Sequence, residues 1–295
     1  MKRKFIVGSE WLYYKIYCGA KTSDRILCEL IKPVVEDLLS EKIIDSWFFI
    51  RYADPKLHIR VRFHHLSPFK IEITMKKLCD KLESYIDSGL IWDLSIGVYN
   101  RELERYGQSL IEKTEQSIFY YDSMMIVNIL DLIEGDEGEV IRWKIGLRAI
   151  NDLLDLFEYD EENKLKYIKK IRDGFGLEFG MDKNLKSQLS EKYRSEKKEI
   201  EFVMDSMNDT DSDIAPLFDI LLERKKNLFL FAKEMKVLEK KNQIEIPIDQ
   251  LLSSYLHMMC NRLFKSNQRL HELVLYDFLC QYYTSLFARK RKSAK

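Results

Sequence analysis

The sequence has little of what marks several common classes of protein. Its five cysteines are widely spaced, form no CxxC pair and have no histidine at zinc-finger spacing, which argues against a metal-binding finger. No apolar run approaches the length of a membrane span, and the apolar stretch behind the basic N-terminus is too short for a signal peptide. We therefore expect reduced, mostly buried thiols in a cytoplasmic protein that does not enter a membrane.

Net charge is also absent. The 48 basic and 48 acidic residues cancel, so the composition favours no general electrostatic attraction to nucleic acid or to an anionic membrane. The one basic run, residues 289–292, is typical of a frayed, solvated C-terminus. By contrast, 46% of the 295 residues are hydrophobic, which is enough for a substantial core. We expect no direct binding to nucleic acid.

Glycine and proline become scarce in the second part of the chain. All eleven glycines lie at or before Gly180, and two prolines follow. Apolar residues recur at helical spacing over 251–263 and 273–286, which predicts two amphipathic helices. Residues 183–207 are rich in Lys and Glu and predict an exposed helix, followed by a polar loop at 208–213. The second part is therefore predicted to be mainly helical.

The first part mixes strands and helices. Hydrophobic periodicity predicts a strand at 11–17, a helix at 24–39, a hairpin at 47–52 and 57–63, a helix at 70–87, an extended run at 91–99, and helices at 109–133 and 139–156 separated by a turn at 135–138. The predicted fold class is α+β, with an antiparallel sheet layer in the N-terminal part packed by helices and a C-terminal part that is mostly α-helical.

The chain shows no linker-like stretch and no internal repeat. We therefore predict a single domain over residues 1–295. Its sheet-containing part would span 1–107 and its mainly helical part 108–295.

The hairpin at residues 47–63 is the most informative segment. By the two-residue period of a strand, His58, Arg60 and Arg62 fall on one side, while Leu57, Ile59, Val61 and Phe63 fall on the other. Guanidinium groups match carboxylate and phosphate geometry and are costly to desolvate unpaired, so two arginines on an interior strand indicate an anion site. The alternative is a solvated sheet face whose arginine stems cover apolar surface.

Two further segments add candidate residues. Arg101 and Arg105 are four apart and would share one face of a helix, although such a segment is more often a salt-bridged surface turn. His257 and Asn261 share a helical face between apolar neighbours, where a histidine is more often a satisfied core or interface residue than a catalytic one. The residues alone leave both alternatives open.

Several motifs together resemble a known family. They are Trp11-Leu-Tyr-Tyr-Lys-Ile-Tyr17, Phe48-Phe-Ile-Arg-Tyr-Ala-Asp-Pro55 with His58-Ile-Arg-Val-Arg62, Arg101-Glu-Leu-Glu-Arg-Tyr-Gly107 with Glu115 and Tyr121-Asp-Ser123, and His257-Met-Met-Cys-Asn-Arg-Leu-Phe264. In this order they resemble the glutamate-elimination domain of class I lantibiotic dehydratases, which also occurs as a separate protein in thiopeptide-type bacteriocin pathways. The resemblance covers nearly the whole chain.

The resemblance implies a lyase reaction. A separate tRNA-dependent glutamylation protein would esterify Ser or Thr of a precursor peptide with glutamate, and this chain would β-eliminate that glutamate to leave dehydroalanine or dehydrobutyrine. Such chemistry needs a base for the α-proton, stabilisation of an enolate-like carbonyl, and positive charge or a proton at the departing carboxylate. The resemblance implies no metal and no organic cofactor. Because the chain is too short to contain the glutamylation part as well, we expect it to depend on that partner protein.

The motifs also carry residue assignments. Arg60 and Arg62 match the family's paired strand arginines, and Arg101 the arginine that opens the RExxRYG segment; these would bind the glutamyl carboxylate and developing negative charge. His257 matches the histidine of the HMxxNR helix and would handle a proton as glutamate departs. Arg51 is an additional candidate, although on the preceding strand it could instead brace the hairpin. The α-proton base stays unassigned.

Two other functions are open. Cyclases of the same fold join two dehydroalanines by a formal [4+2] cycloaddition and expel the leader peptide, but tend to lose the arginine and histidine set that is intact here. A non-catalytic module could instead use the cationic face to bind an acidic leader peptide or the glutamylation protein. Proteins of this fold are often dimers, so a homodimer is also an expectation from the resemblance.

Overall fold

A computed structural model describes residues 1–133, 135–205 and 214–293. The chain divides into two compact units, one formed by 1–132 with 237–266 and the other by 133–236 with 267–295. The polar loop predicted at 208–213 lies outside the described residues. The organisation as a single domain stays a prediction.

The first unit contains the strands. In chain order they are β1 (Lys4–Phe5), β2 (Trp11–Cys18), β3 (Ile44–Tyr52), β4 (His58–His65), β5 (Ile91–Ile96) and β6 (Tyr99–Asn100). Four of them form an antiparallel sheet in the order β3-β4-β2-β5, and β1 pairs with β6 in a second, two-stranded sheet. The predicted hairpin is therefore confirmed, and β4 is an interior strand. The extended run predicted at 91–99 divides between the two sheets.

Alternation along β4 separates two faces of the four-stranded sheet. We call the side with Ile59, Val61 and Phe63 the covered face, because all three side chains have no exposed surface. We call the side with His58, Arg60 and Arg62 the cationic face. The prediction for Leu57 is wrong in one respect: this residue precedes β4 and is 40% exposed, because it belongs to the hairpin loop.

The helices follow the predicted pattern. In the first unit they are α1 (Ala20–Arg25), the π-helical Ile26–Ile31, α2 (Lys32–Ser40), a 3₁₀ turn (Pro68–Lys70), α3 (Ile71–Asp87), α4 (Leu103–Tyr106), α5 (Ile111–Thr114), the π-helical Glu115–Phe119 and α6 (Tyr120–Leu132). After these come α7 (Gly135–Leu156), α8 (Glu161–Glu178), α9 (Lys183–Asp205), α10 (Ala215–Lys240), α11 (Ile248–Leu263) and α12 (Gln268–Ser293).

The second unit is helical and packs around aromatic side chains. Phe278 of α12 contacts Trp143 of α7 and Tyr193 of α9, at ring-centroid distances of 5.6 and 5.8 Å. The turn predicted at 135–138 is wrong, because these residues form the first turn of α7. The α+β class, with its sheet layer in the N-terminal part, is confirmed. None of the described helices combines the length and apolar character that crossing a bilayer requires.

The outer edge of the four-stranded sheet is closed by side chains. In the described ranges, no strand pairs with β3 on that side. Instead, Asn261 of α11 accepts a hydrogen bond from Arg51 N and donates one to Arg51 O, both at 2.9 Å. Arg262 Nε donates to Phe49 O at 2.8 Å, and Phe49 N donates to Ser123 Oγ of α6 at 3.2 Å. These bonds satisfy main-chain groups that an open sheet edge would leave unpaired.

Candidate active site

Arg62 is a buried arginine without a carboxylate partner among the described residues. Its side chain stands on the cationic face inside an aromatic cage of Tyr13, Phe48 and Tyr99, whose ring centroids lie 4.6, 5.0 and 4.9 Å from the guanidinium carbon. The residue is 7% exposed, and its Nε and Nη1 have no hydrogen-bond partner in the described part of the chain. Burial lowers the pKa of this guanidinium, because the charged form has lost solvent.

Arg62 lines a small pocket of the first unit whose cavity volume is about 30 Å³. The lining residues are Phe48, Ile50, Arg62, Tyr99, Asn100, Glu102, Tyr106, Ile111, Phe119, Met258 and Arg262. Apolar walls around few polar groups lower the local dielectric response and strengthen any charge interaction made there. An anionic group that reaches Arg62 at this pocket would therefore be bound more strongly than in water.

Arg60 stands two residues away on the same face and is held in a fixed orientation. Its guanidinium stacks 3.5 Å from the ring centroid of Tyr52, and its Nε donates to His58 Nε2 at 2.9 Å. The other ring nitrogen of His58, Nδ1, bonds Lys56 O at 2.7 Å, which fixes the neutral tautomer that can accept from Arg60. Burial lowers the pKa of His58, and the charges of Arg60 and Lys15 act in the same direction.

Arg101 is bound to a buried carboxylate. It precedes α4 rather than sharing a helical face with Arg105, and it pairs with Glu115 through Nη2–Oε2 at 2.5 Å and Nε–Oε1 at 2.9 Å. The Tyr99 hydroxyl donates to the same carboxylate. Although burial opposes its charged form, the bonds to Glu115 raise the pKa of Arg101. Arg101 thus does not line the pocket itself. It is connected to the pocket through Glu115, which binds the pocket residue Tyr99.

Arg51 points to the opposite side of the sheet. It pairs in register with Ile59 and therefore lies on the covered face. Its Nη2 binds Asp24 at 2.6 Å, its Nε donates to Arg262 O at 2.8 Å, and its Nη1 donates to Ser23. The structure therefore brings Arg60 and Arg62 together and separates Arg51 from them.

His257 lies on α11, half-buried and one turn before Asn261, as the helical spacing predicted. Among the described residues of α11, Met258 and Arg262 line the pocket and His257 does not. The histidine is thus on the helix that borders the pocket, on the face that reaches the edge of β3 through Asn261.

Two residues at the pocket were not singled out from the sequence. Tyr99 touches Arg62 with its ring and Glu115 with its hydroxyl, and burial raises its pKa well above the ordinary value. Glu102 lines the pocket with a carboxylate that is 63% exposed and lies 3.5 Å from Arg105. Glu102 is the second residue of the RExxRYG segment and Tyr99 lies two residues before Arg101, and this closeness to Arg101 was the available signal.

A comparison with known families decides the affiliation. Residues 11–283 match the family described as "Lantibiotic biosynthesis dehydratase C-term". The chain belongs to this family. It is similar to the Subtilin biosynthesis protein SpaB of Bacillus subtilis, at 27% identity over 285 residues that make up 95% of this chain and 26% of SpaB.

Solved structures share the fold of this lantibiotic dehydratase C-terminal domain. The tRNA-dependent lantibiotic dehydratase MibB from Microbispora sp. 107891 superposes with a TM-score of 0.73 at 21% identity, over 97% of this chain and 29% of MibB. TbtD, a pyridine synthase from thiomuracin biosynthesis, superposes with a TM-score of 0.64 at 11% identity, over 94% of this chain and 99% of TbtD. Compared with the curated relative, the chain spans about a quarter of the length of SpaB.

The chemistry available on the cationic face is that of fixed positive charge. In the described residues, no three His, Cys, Asp or Glu side chains come together as a metal site. Arg62 offers unpaired N–H groups within a mostly apolar pocket, where an anion would gain more than in water. Arg60 offers a second guanidinium on the same face.

Proposed function

We propose that this domain β-eliminates glutamate from glutamylated Ser or Thr of a ribosomally made precursor peptide. A base removes the proton from Cα of the esterified residue, the Cα=Cβ double bond forms, the Cβ–O bond breaks, and glutamate leaves as a carboxylate. The products are dehydroalanine from Ser and dehydrobutyrine from Thr. A separate tRNA-dependent glutamylation protein would supply the ester.

The observation that carries this proposal is the buried, carboxylate-free guanidinium of Arg62 in its aromatic cage. A buried guanidinium that forms no direct ion pair is costly to the fold, and a departing carboxylate would compensate it at the stage when negative charge develops. Family membership and the likeness to SpaB support the same reaction class.

Roles for the other residues follow from their placement. Arg60 shares the face and extends the positive field along β4. We assign Arg101 a positioning role. Its guanidinium is ion-paired with Glu115, which accepts a hydrogen bond from Tyr99, and the Tyr99 ring contacts Arg62. Arg51 braces β3 from the covered face. We propose that His257 gives or takes the proton that accompanies glutamate departure. The base for the α-proton stays unassigned.

Mass spectrometry of a glutamylated peptide tests the proposal. Leader-bearing lanthipeptide precursors would be glutamylated with a glutamylation protein and glutamyl-tRNA, purified, and incubated with this protein. We expect each glutamyl adduct to be replaced by a residue that has lost one water relative to the unmodified peptide. Adducts that persist across the panel would refute elimination.

The same assay separates the alternatives. Loss of the leader from a peptide that already carries dehydroalanines would identify a pyridine-forming cyclase. Tight binding of the peptide or of the glutamylation protein, with neither substrate changed, would identify a binding module.

A further inference from the structure

The second edge of the four-stranded sheet is open. Strand β5 forms this edge, and in the described ranges no strand pairs with its outer side. Side chains of α6 and α11 close the β3 edge, whereas no main-chain hydrogen bond from a described loop or turn reaches Leu94 or Ile96 of β5. An open edge presents main-chain donors and acceptors that a further strand can pair with.

Hydrogen bonding between β2 and β5 shows which main-chain groups point outward. Gly97 N donates to Tyr13 O at 3.0 Å, so these two residues form a hydrogen-bonded pair. Opposite residues of antiparallel strands alternate between hydrogen-bonded and non-hydrogen-bonded pairs. Ser95 therefore also bonds β2, whereas Leu94 and Ile96 direct their N–H and C=O groups away from it. The outward groups belong to the open edge.

Asp93 partly covers this edge. Its Oδ1 accepts a hydrogen bond from Leu94 N at 2.8 Å, which agrees with the outward direction of that N–H group. Within the described chain, the N–H group of Ile96 and the carbonyl oxygens of Leu94 and Ile96 stay available. A charged side chain at an edge weakens strand pairing. The edge therefore suits weak, reversible pairing rather than a permanent additional strand.

An extended peptide fits this edge better than a stable dimer does. Strand β5 has six residues, a short edge compared with the roughly 1,200 Å² or more that stable interfaces bury. Trp92 of β5 and Val98 just after it are 48% and 51% exposed, and both offer apolar contact area to a bound strand. Main-chain pairing places few demands on side chains. It therefore suits a peptide with different residues around each modified Ser or Thr.

We propose that β5 binds an extended segment of the precursor peptide as an additional strand of the sheet. This inference rests on the elimination reaction proposed above, because that reaction makes the precursor peptide the substrate. The added strand would lie three strand spacings, roughly 14 Å, from β4 and Arg62. An extended chain covers that distance in about four residues. The bound segment thus lies at least about four residues from the modified Ser or Thr.

A proline at the outward-facing nitrogen of Ile96 tests the proposal. Ile96→Pro removes the N–H group that an added strand needs, and an edge strand tolerates proline where the N–H group faces solvent. We expect kcat/KM for a full-length glutamylated precursor to fall about tenfold, mainly through KM, since hydrogen bonds to the peptide main chain are lost. A three-residue peptide with a central O-glutamyl serine is too short to reach β5, so its elimination should not change.

Three further measurements isolate the main-chain pairing. Asp93→Ala frees Leu94 N and should lower KM for the precursor about threefold, opposite to the effect of Ile96→Pro. Ile96→Val keeps the N–H group and should behave like the unmodified protein. Methylation of main-chain nitrogens in a synthetic precursor, starting about four residues from the modified Ser, should raise KM of the unmodified protein. This last measurement decides the question even if Ile96→Pro fails to fold.

The outcomes separate this inference from the proposed function. Equal effects of Ile96→Pro on the precursor and on the three-residue peptide, or no effect on either, would overturn strand addition and leave elimination standing. A dimer that Ile96→Pro dissociates, with KM unchanged, would assign the edge to a second copy of the chain. If the unmodified protein eliminates glutamate from neither substrate, the proposed function fails, and the role of β5 fails with it.

Discussion

The two faces of the four-stranded sheet use the same residue type in opposite ways. Arg51 on the covered face is 5% exposed and Arg62 on the cationic face is 7% exposed. Arg51 binds Asp24, Ser23 and a main-chain carbonyl, so its charge is compensated inside the protein. Arg62 has aromatic rings around it and no carboxylate partner in the described chain. Similar burial therefore accompanies an ion-paired arginine on one face and, on the other, an arginine without such a pair, which we propose binds the ligand.

This contrast shows why burial alone does not identify a functional arginine. Breaking a buried ion pair leaves an uncompensated charge and is strongly destabilising. Removing a buried charge that has no partner relieves a desolvation cost instead. Stability and activity should thus respond in opposite ways to matched substitutions on the two faces.

The largest effect is expected on the cationic face. Arg62→Met should lower the rate of glutamate elimination by about a thousand-fold, because the developing carboxylate loses its charge partner. The melting temperature should not fall, since no ion pair is broken. Single-turnover kinetics and thermal unfolding measure the two quantities. Retention of most activity would remove Arg62 from the reaction.

A second kinetic prediction concerns α11. His257→Ala should leave peptide binding intact and reduce elimination by about a hundred- to ten-thousand-fold, which is typical for loss of a placed acid or base. Binding can be followed by fluorescence anisotropy of a labelled glutamylated peptide, and turnover by mass spectrometry. A variant that keeps most of its turnover would contradict the assignment of His257.

Substitution of Arg51 on the covered face should lower the stability of the fold. Arg51→Met should lower the free energy of unfolding by about 3 kcal/mol, because it breaks the buried ion pair with Asp24. Denaturant unfolding measures this loss. The double variant Arg51→Met with Asp24→Asn should recover part of it, because the carboxylate that Arg51 compensated is also removed. If the double variant is no more stable than the single one, the ion pair is not the cause.

A fall in pH should also lower stability through a residue of the covered face. His65 lies there beside Thr74 of α3, and burial lowers its pKa from the ordinary 6.5 to about 4. The unfolded chain therefore takes up a proton first as the pH falls, and stability present above pH 6.5 is lost between 6.5 and about 4. The loss amounts to at most about 3 kcal/mol. His65→Gln should make the free energy of unfolding nearly independent of pH over this window. An unchanged pH dependence would exclude His65 as the titrating group.

The smallest expected effect is at the sheet edge. Asn261→Ala removes two hydrogen bonds to the main chain of Arg51 and should lower the unfolding free energy by about 1–2 kcal/mol. Asn261 lies one turn from His257 on α11. Comparing the two variants therefore tests whether His257 serves the reaction while Asn261 serves only stability. Elimination by folded Asn261→Ala should remain within a few-fold of the unmodified protein. A loss as large as that of His257→Ala would place Asn261 in the reaction.

Much of the fold could be predicted because it follows local periodicity. The two-residue alternation of β4 predicts the separation of Arg60 and Arg62 from Ile59 and Val61, and this separation is observed. The scarcity of glycine and proline after Gly180 predicts the helical character that α9 to α12 show.

The partners of the arginines could not be predicted, since they depend on contacts between distant segments. The side of the sheet on which Arg51 lies follows from the register across the hairpin. That register is set by the geometry of the hairpin loop, which the sequence alone does not give. Arg101 meets Glu115 because a π-helical turn brings that carboxylate under Tyr99. Composition and spacing contain no information on either contact. The roles of Arg60, Arg62, Arg101 and His257 stay predictions.

The closed edge of β3 has a consequence for how the protein folds during synthesis. Asn261 and Arg262 are 210 and 213 residues from the strand positions they bond. During translation the hairpin emerges long before α11, so its outer edge is exposed to other strands for the time needed to make some two hundred residues. Contacts this distant in sequence slow folding. We therefore expect chaperones to engage the nascent sheet, and an added strand-forming peptide to be captured at β3 by early fragments but not by the finished fold.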